Sequence, residues 1–378
     1  MPESISKPVK KLVVISDTAM CVEKDIQHAF GPVVKELENF TFVDEITWIG
    51  FNKPKNQSFV KISDERIKII PLPSSGGKTF WAKLMIIWCY PLYFCTILQH
   101  IFSSEVIHVR APSNPSVIAY FLSWFFLKKQ FWFKYAGNWI GEASWFYKVQ
   151  RKFLTIVPKN VKVTVNGSWP NQKRHVYSFE NPCLTALERE EGKKYISEKQ
   201  FPEKFNFCFI GNLDENKGIK LLIKALKNIN SDKICSLHIV GGGALESWVR
   251  QEVTSLDFEV IVHGFLPKDA IKSIYKLSHF IVLPSKSEGF PKVIGEAMNY
   301  GTIPIVSDIS CIGQYVKHQK NGYLIHPLTQ DKLYKVINEA LKLKTEEFYR
   351  IINENYQKAN KFTYAYYQEI LLRKVLCN

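Results

Sequence analysis

Two glutamates eight positions apart are the residues of this chain whose types and spacing most clearly suggest chemistry. Glu288 precedes a Gly-Phe-Pro turn, and Glu296 falls inside a helix predicted to begin at Pro291. This separation excludes an adjacent acid pair, but the two carboxylates can accept hydrogen bonds from different hydroxyls of one elongated ligand. The spacing alone leaves open a second interpretation, in which Glu288 is a solvated loop acid and Glu296 a helix-surface acid.

The turn between the two glutamates is suited to bind phosphate. It follows a short apolar strand, Phe280–Leu283, and it delivers a helix N-terminus to the carboxyl end of that strand. The backbone N–H groups of Gly289 and Phe290, together with the positive end of the helix dipole, would form a site for a phosphate or diphosphate.

The elements that must position these residues alternate along the whole chain. Short Val-, Ile- and aromatic-rich runs predict strands, and the stretches between them predict helices, at 22–38, 80–102, 115–127 and 141–154 in the first half. Predicted strands lie at 11–16, 45–49, 67–70, 106–109, 130–135, 161–165, 205–210, 237–240, 259–262, 280–283 and 303–306. Such alternation indicates parallel sheets with crossover helices.

Length and the polar interval 181–204 divide these elements into two domains. A chain of 378 residues exceeds what one hydrophobic core usually organises. We predict an N-terminal acceptor-binding domain over 1–180, a linker and domain entry over 181–204, and a C-terminal donor-binding domain over 205–361. A last helix over about 362–378 could pack back on the first domain. Doubly wound domains in series place a ligand cleft at the carboxyl ends of their strands.

A family resemblance is carried by the segment SEGFPKVIGEAMNYGTIPIVSD, with FIGNLDENKGIKLLIKAL, HIVGGGALE and NGYLIHP in matching order around it. The segment resembles the E-x7-E signature of retaining glycosyltransferases of family 4 and their relatives, the group 1 glycosyltransferases. The resemblance is strong over about 205–330 and weak in the N-terminal half. It implies the GT-B fold, an α/β architecture of two doubly wound Rossmann-like domains that face each other across a cleft.

The resemblance also implies roles for individual residues. Glu296 would bind the ribose hydroxyls of a nucleotide-sugar donor, Glu288 would contact the transferred sugar, and Lys217 would neutralise the leaving diphosphate. The remaining donor-site positions implied are the backbone of Gly289, Phe290 and Pro291, then Gly211 and Asn212, and a base pocket at Gly264, Phe265 and Leu266.

Two positions depart from the family pattern. Asn212 stands where an arginine is usual after the first-strand glycine, and the string Gly241–Gly243 lacks the acidic residue often found at its middle. A missing cation beside the leaving group could lower catalytic power, because electrostatic stabilisation is often the largest catalytic term. Lys292 is a candidate to compensate for it.

The implied reaction moves a sugar from a nucleotide-diphosphate sugar to a glycan or lipid-linked acceptor with retention of anomeric configuration, in surface polysaccharide or glycolipid assembly. No D-x-D pair and no His/Cys cluster suits a metal, so we expect metal-independent transfer without a cofactor. Other interpretations are a non-catalytic GT-B partner subunit, a phosphorylase or epimerase, and a dehydrogenase using Gly241–Gly243, although that string is a poor dinucleotide fingerprint.

The N-terminal half of the sequence gives weaker evidence for functional residues than the C-terminal half. His108 and Arg110 flank the end of one predicted strand, where either could assist the acceptor or the phosphates, although a lone histidine there is more often structural. Several tryptophans could stack on sugars, but core packing is the favoured interpretation.

Charge and composition bear on partners and location. The net charge of +15 favours polyanions, but no nucleic-acid-binding motif is present. Eight scattered cysteines and the lack of a signal-peptide core predict a reduced, cytoplasmic protein, which could lie peripherally on the inner face of the plasma membrane.

The apolar run Leu84–Phe102, with Lys78 and Lys83 at one end, has three interpretations: a helix buried against the sheet, a helix lying on a membrane surface, or a span. Pro91, Gln99 and His100 weigh against the span.

Overall fold

The computed structural model describes residues 9–76, 80–141 and 143–376. The chain divides into two compact units, one formed by residues up to Phe179 together with those from Gln368 onward, the other by Glu180–Tyr367. Residues 181–204, predicted as a linker and domain entry, belong to the second unit and contain the helix Ala186–Glu198. Lys78 of the predicted basic end and Cys377 lie outside the described residues.

The first unit is built on a nine-stranded sheet. Seven parallel strands lie in the order β5-β3-β1-β6-β7-β8-β9, and β2 and β4 add antiparallel pairs beyond the end of β1. Strands β1 to β9 are Val9–Glu23, Ile26–Phe30, Val43–Asn52, Phe59–Lys61, Ile67–Pro73, Val106–Ala111, Gln130–Tyr135, Val161–Asn166 and Val176–Phe179.

Helices cover both faces of this sheet. They are α1 (Gly31–Glu38), α2 (Phe80–Ser103), α3 (Asn114–Ser123) and α4 (Trp145–Leu154). The chain moves from β1 to β3 in one direction and from β5 through β8 in the other, so right-handed crossovers place α2, α3 and α4 on one face and α1 on the opposite face. The main core lies between the sheet and α2–α4.

The second unit has a six-stranded, fully parallel sheet in the order β12-β11-β10-β13-β14-β15. Its strands β10 to β15 are Phe205–Ile210, Ile234–Val240, Glu259–Gly264, Phe280–Leu283, Ile303–Ser307 and Tyr323–Ile325. Helices α5 to α13 are Ala186–Glu198, Ile219–Leu226, Glu246–Glu252, Lys268–Leu277, Lys292–Asn299, Ile312–Tyr315, Gln330–Ala340, Thr345–Ala359 and Tyr364–Leu371. The last helix runs from the second unit into the first and is followed by a π-helical turn, Leu372–Leu376.

One predicted helix is wrong in its first part. Residues 22–30, assigned to a helix over 22–38, form instead the end of β1, a two-residue turn and β2. The turn residues Lys24 and Asp25 both have positive φ, 49° and 63°, as a tight hairpin turn of this kind requires. Only Gly31–Glu38 is helical, as α1.

Helix α2 is apolar along its length but buried on one side only. Its segment Met85–Ser103 is long and apolar enough to cross a membrane by length and composition, with a mean hydropathy of 1.4, and 22% of it is buried. The buried residues recur every four positions, at Cys89, Tyr93, Ile97 and Ile101. The interpretation as a helix buried against the sheet therefore accounts for one stripe of α2 and leaves its other sides facing outward.

Candidate functional site

Lys217 is positioned by the loop that follows β10. The next residue, Gly218, caps the N-terminus of α6 with φ +74°, and a Cβ at this position would lie 2.0 Å from the carbonyl oxygen of Pro284. Only glycine fits such a close approach in the left-handed region without displacing a neighbour. The chain after β10 can therefore pack directly against the chain after β13, which brings Lys217 to the Glu288 loop.

The two loops are joined by backbone and side-chain hydrogen bonds. The backbone N–H of Lys286 donates to the carbonyl of Asn216 (2.7 Å), and the Asn216 amide donates to the carbonyl of Ser287 (3.0 Å). On this framework the Lys217 ammonium forms an ion pair with Glu288 Oε1. The side chains of Lys217 and Glu288 are 22% and 10% exposed, so the pair is largely desolvated yet open at one edge.

The pair lies where the strand order of the sheet reverses. From β10 the chain builds outward through β11 and β12, then returns to the other side of β10 and continues through β13, β14 and β15. In open α/β sheets, ligands bind in the crevice outside the carboxyl ends of the strands at this switch point. Lys217 follows β10 and Glu288 follows β13, so the topology and the ion pair identify the same place.

Helix α9 begins beside this pair. Pro291 is its N-cap and Lys292 its first residue, one position later than predicted. Phe290 is buried, because its ring stacks on Phe362 (centroids 4.8 Å apart) and meets Tyr315 edge-on. The buried ring anchors the turn, and the N-terminus of α9 carries the positive end of the helix dipole, which favours an anion there.

Glu296 lies on α9 and is held by residues that the sequence did not reveal. Tyr275 donates its hydroxyl to Glu296 Oε2 at 3.0 Å, and the Lys268 ammonium lies 3.8 Å from Oε1. Tyr275 is 1% exposed, and burial raises its pKa well above the usual value, so its hydroxyl remains a proton donor. The core thus fixes one oxygen of Glu296.

The other predicted donor positions are found at neighbouring strand ends. The backbone N–H of Gly211 donates to Val240 (3.0 Å) and that of Gly241 to Gly264 (2.8 Å), which aligns the ends of β10, β11 and β12. Asn212 is exposed, and Phe265 is 50% exposed. Leu266 packs against the core cluster that contains Tyr275.

The two candidate residues of the first unit, His108 and Arg110, differ in burial and in their contacts. His108 is fully buried, and its ring stacks on Trp132 with centroids 3.7 Å apart; burial, reinforced by the Arg110 charge, holds its pKa well below the usual range. The prediction that His108 assists the acceptor or the phosphates does not fit this burial, because the ring packs in the core beneath α1. Arg110 is partly exposed and pairs with Glu36 at 3.2 Å, and its role stays a prediction.

Within the three described ranges, no group of three or more His, Cys, Asp or Glu side chains is arranged to hold a metal ion.

Comparison with known proteins finds a family match in the second unit. The family model described as glycosyl transferases group 1 matches residues 193–359. The second unit is similar to this group 1 family over most of its length. Lys217, Glu288, Glu296 and all the other predicted donor positions fall inside the match, whereas His108 and Arg110 lie outside it.

Proteins named as glycosyltransferases are among the relatives that this chain resembles in sequence. An uncharacterized glycosyltransferase of Methanocaldococcus jannaschii is 32% identical over 135 residues, 35% of each chain. The amylovoran biosynthesis glycosyltransferase AmsK of Erwinia amylovora is 28% identical over 144 residues, 32% of this chain and 35% of AmsK. Each match thus spans about a third of the relative's length.

The fold of the whole chain is similar to that of Anabaena HepE, solved in complex with UDP and glucose. The TM-score is 0.69 at 14% identity, over 98% of this chain and 100% of HepE. This likeness confirms the predicted fold, two doubly wound Rossmann-like units of the GT-B type. The family-model match in the second unit confirms the predicted resemblance to group 1 glycosyltransferases.

Proposed function

We propose that this protein transfers a sugar from a nucleoside diphosphate sugar to a glycan or lipid-linked acceptor, with retention of anomeric configuration, in the assembly of a surface polysaccharide or glycolipid. The observation that carries the proposal is the Lys217–Glu288 pair at the switch point of a group 1 unit. The similarity to an amylovoran biosynthesis enzyme and the UDP and glucose held by HepE support the product class and the donor class.

Each proposed role follows from the environment of the residue. Lys217 neutralises the diphosphate as it leaves, with the N-terminus of α9 and Lys292 adding positive potential on the same side. Glu296 accepts hydrogen bonds from the ribose hydroxyls through Oε1, since its Oε2 already accepts a hydrogen bond from the Tyr275 hydroxyl. Glu288, oriented by Lys217, accepts hydrogen bonds from the hydroxyls of the transferred sugar.

Retention requires the acceptor hydroxyl to attack the face from which the diphosphate departs. A cation beside the leaving oxygens favours this course, because it stabilises the developing charge while the departing group stays close to the incoming hydroxyl. Analysis of the initial product by proton NMR tests it: the anomeric coupling constant should match that of the donor, and an inverted product would contradict it.

We propose further that the transfer needs no metal ion, because Lys217, Lys292 and the helix N-terminus supply the positive charge that the diphosphate needs. Activity should be unchanged in excess chelator. A loss of activity that Mg²⁺ or Mn²⁺ restores would contradict metal independence without touching the donor-site assignment.

The transfer itself is tested with a panel of UDP-, GDP-, ADP- and CMP-sugars and glycan or lipid-linked acceptors. We expect Glu288→Ala and Glu296→Ala each to lower turnover by about 100-fold or more, a typical cost of removing a group that acts in the transition state. Glu203→Ala, at an exposed acid of the same unit, should leave turnover unchanged. Equal turnover in all three variants would overturn the proposal.

One observation favours a second candidate. Asn212 is exposed at the end of β10, where the family pattern has an arginine, so the unit brings one cation fewer to the leaving group. A non-catalytic GT-B partner subunit would bind a nucleotide sugar in the same way but give no turnover over the whole panel. Asn212→Arg should raise turnover if the protein is a glycosyltransferase, and should leave turnover at zero if it is a non-catalytic partner subunit.

A further inference from the structure

The first unit exposes large apolar side chains in one region. In the described part of the chain, 15 of the 22 large hydrophobic residues that are exposed lie between Trp81 and Ile156. Single exposed apolar residues are normal on soluble proteins, but a concentration of them marks an interaction surface. We name this surface the apolar face, and its most prominent members are Trp81, Trp88, Phe94, Phe121, Phe125 and Trp145.

These residues share one side of the sheet. Helices α2, α3 and α4, which carry or adjoin them, were placed on the same face by the direction of their crossovers. Ring contacts join the helices: Phe102 meets Phe126 with centroids 5.0 Å apart, and Phe121 meets Phe153 at 5.8 Å. The apolar face is therefore one continuous surface formed by the outer sides of three packed helices.

Helix α2 is fixed to the unit along its inner stripe. Tyr93, Ile97 and Ile101 are fully buried in the core, and the Tyr93 hydroxyl donates to the carbonyl of Pro73 at 2.5 Å. Crossing a bilayer would require α2 to leave this core, which the folded unit does not permit. With its inner stripe in place, α2 can meet a membrane only along its outer side, lying in the plane of the surface.

The charge around the apolar face is strongly positive. Residues 80–160 contain nine Lys and Arg against two Glu and no Asp. Arg110 and Lys134 pair with Glu36 of α1 on the opposite face of the sheet, and the other basic residues leave a net charge of +5. Lys128, Lys148 and Lys152 are exposed beside the apolar residues. Exposed tryptophans together with basic side chains are typical of surfaces that enter the headgroup region of anionic bilayers, where the indole ring is half solvated.

We propose that the apolar face docks the protein on an anionic lipid bilayer, with α2 parallel to the membrane and the aromatic side chains inserted among the headgroups. The partner is the lipid surface itself. This docking concerns the first unit alone and does not depend on glycosyl transfer, although it would bring the protein to a lipid-linked acceptor.

The test is co-sedimentation of the full chain with vesicles, without nucleotide sugar. Phosphatidylglycerol–phosphatidylcholine vesicles should bind the protein, and phosphatidylcholine alone should bind it far less. Lys148→Gln with Lys152→Gln should lower the partition coefficient roughly thirtyfold, since each basic residue near an anionic surface contributes a factor of about five. Trp88→Ser with Phe125→Ser, at side chains that are both 82% exposed, should lower it by more than about tenfold.

A matched control and a second measurement complete the design. Leu187→Ser, at a side chain that is 78% exposed in the second unit, should bind vesicles like the wild type, as should Glu296→Ala. Wild-type binding by the Trp88/Phe125 variant would overturn the proposal. A second result would also overturn it: vesicles bind neither the wild type nor the variant, and analytical ultracentrifugation detects a dimer of the wild type that the variant does not form. The apolar face would then be an interface between two copies of the chain.

Resistance to extraction at high pH and high salt would contradict the in-plane position of α2. A protein that binds vesicles but transfers no sugar would refute the proposed function alone.

Discussion

Substitution of Gly218 by alanine should separate the loop geometry of the donor site from general stability. The residue has φ +74°, and a left-handed conformation costs an L-residue about 1–2 kcal/mol. The added Cβ would also lie 2.0 Å from the carbonyl oxygen of Pro284, so the two loops must separate, and overpacking of this kind costs a further ~1–3 kcal/mol. We therefore expect Gly218→Ala to lower the free energy of unfolding by about 2–5 kcal/mol.

The same substitution should weaken donor binding, because Lys217 moves with the loop. Losing a hydrogen bond to a charged group costs about 1.5–3 kcal/mol, which corresponds to a Kd roughly 10- to 150-fold higher. Urea unfolding followed by circular dichroism measures the first effect, and calorimetric titration with the preferred nucleotide sugar measures the second.

Gly242→Ala is the matched control for this experiment. The Cβ added there would meet only Glu246 Oε2, at an ordinary 3.5 Å, and Gly242 does not have a positive φ. Its stability and donor affinity should stay within about 0.5 kcal/mol of the wild type. If Gly218→Ala behaves like Gly242→Ala in both assays, the packing of the two loops does not position Lys217, and the reasoning is refuted.

Three further predictions concern buried polar groups. Tyr275→Phe should raise the donor Kd about tenfold, since Glu296 loses the hydroxyl that orients it; calorimetric titration measures this. Burial, with the Lys199 charge, lowers the pKa of His279 from 6.5 to about 3. The neutral imidazole therefore stabilises the fold above pH 6.5, and this contribution should fall by up to about 1.4 kcal/mol per pH unit as the pH drops towards 3. Urea unfolding of the wild type and of His279→Asn measures the difference. Glu36→Ala should destabilise the protein by about 3–5 kcal/mol in the same assay, because it leaves the buried Lys134 ammonium, 2.6 Å away, without its carboxylate.

Each of these predictions has an internal control. Tyr300→Phe removes a similar hydrogen bond, to Glu191 at 3.1 Å, and should leave donor affinity unchanged. Between pH 7 and 8 the wild type and His279→Asn should differ by a constant amount, and the same constancy down to pH 4 would refute the assignment of His279. Glu45→Ala, at a surface pair with Lys11, should cost less than about 1 kcal/mol.

The parts of the fold that could be predicted are those with strong local signals. Three strands, Gln130–Tyr135, Phe205–Ile210 and Phe280–Leu283, agree with prediction at both ends, because each is a short apolar run with clear flanks. The β1–β2 hairpin was missed because its turn uses Lys24 and Asp25 in place of the glycine or asparagine that usually signals positive φ.

The parts of the site that could not be predicted depend on distant contacts. Tyr275 and Lys268 precede Glu296 by 21 and 28 positions and reach it only through the packing of α8 against α9. The prediction for His108 rests on its position near a strand end beside Arg110, and the sequence does not indicate that Phe40 and Trp132 enclose its ring. Local patterns thus identified the two loops of the candidate site but not the residues that hold Glu296.

The central claim is that Lys217, held in place by its ion pair with Glu288, binds the diphosphate of a nucleotide-sugar donor. Its most direct test is calorimetric titration of the wild type, Lys217→Ala and Lys220→Ala with UDP-, GDP- and ADP-sugars. Lys220 is the matched control because it lies three residues further on and pairs with Glu215 at 2.6 Å. We predict that at least one donor binds, that Lys217→Ala weakens it by roughly tenfold or more, and that Lys220→Ala binds like the wild type. Failure of every donor to bind, or equal affinity in all three proteins, would contradict the claim.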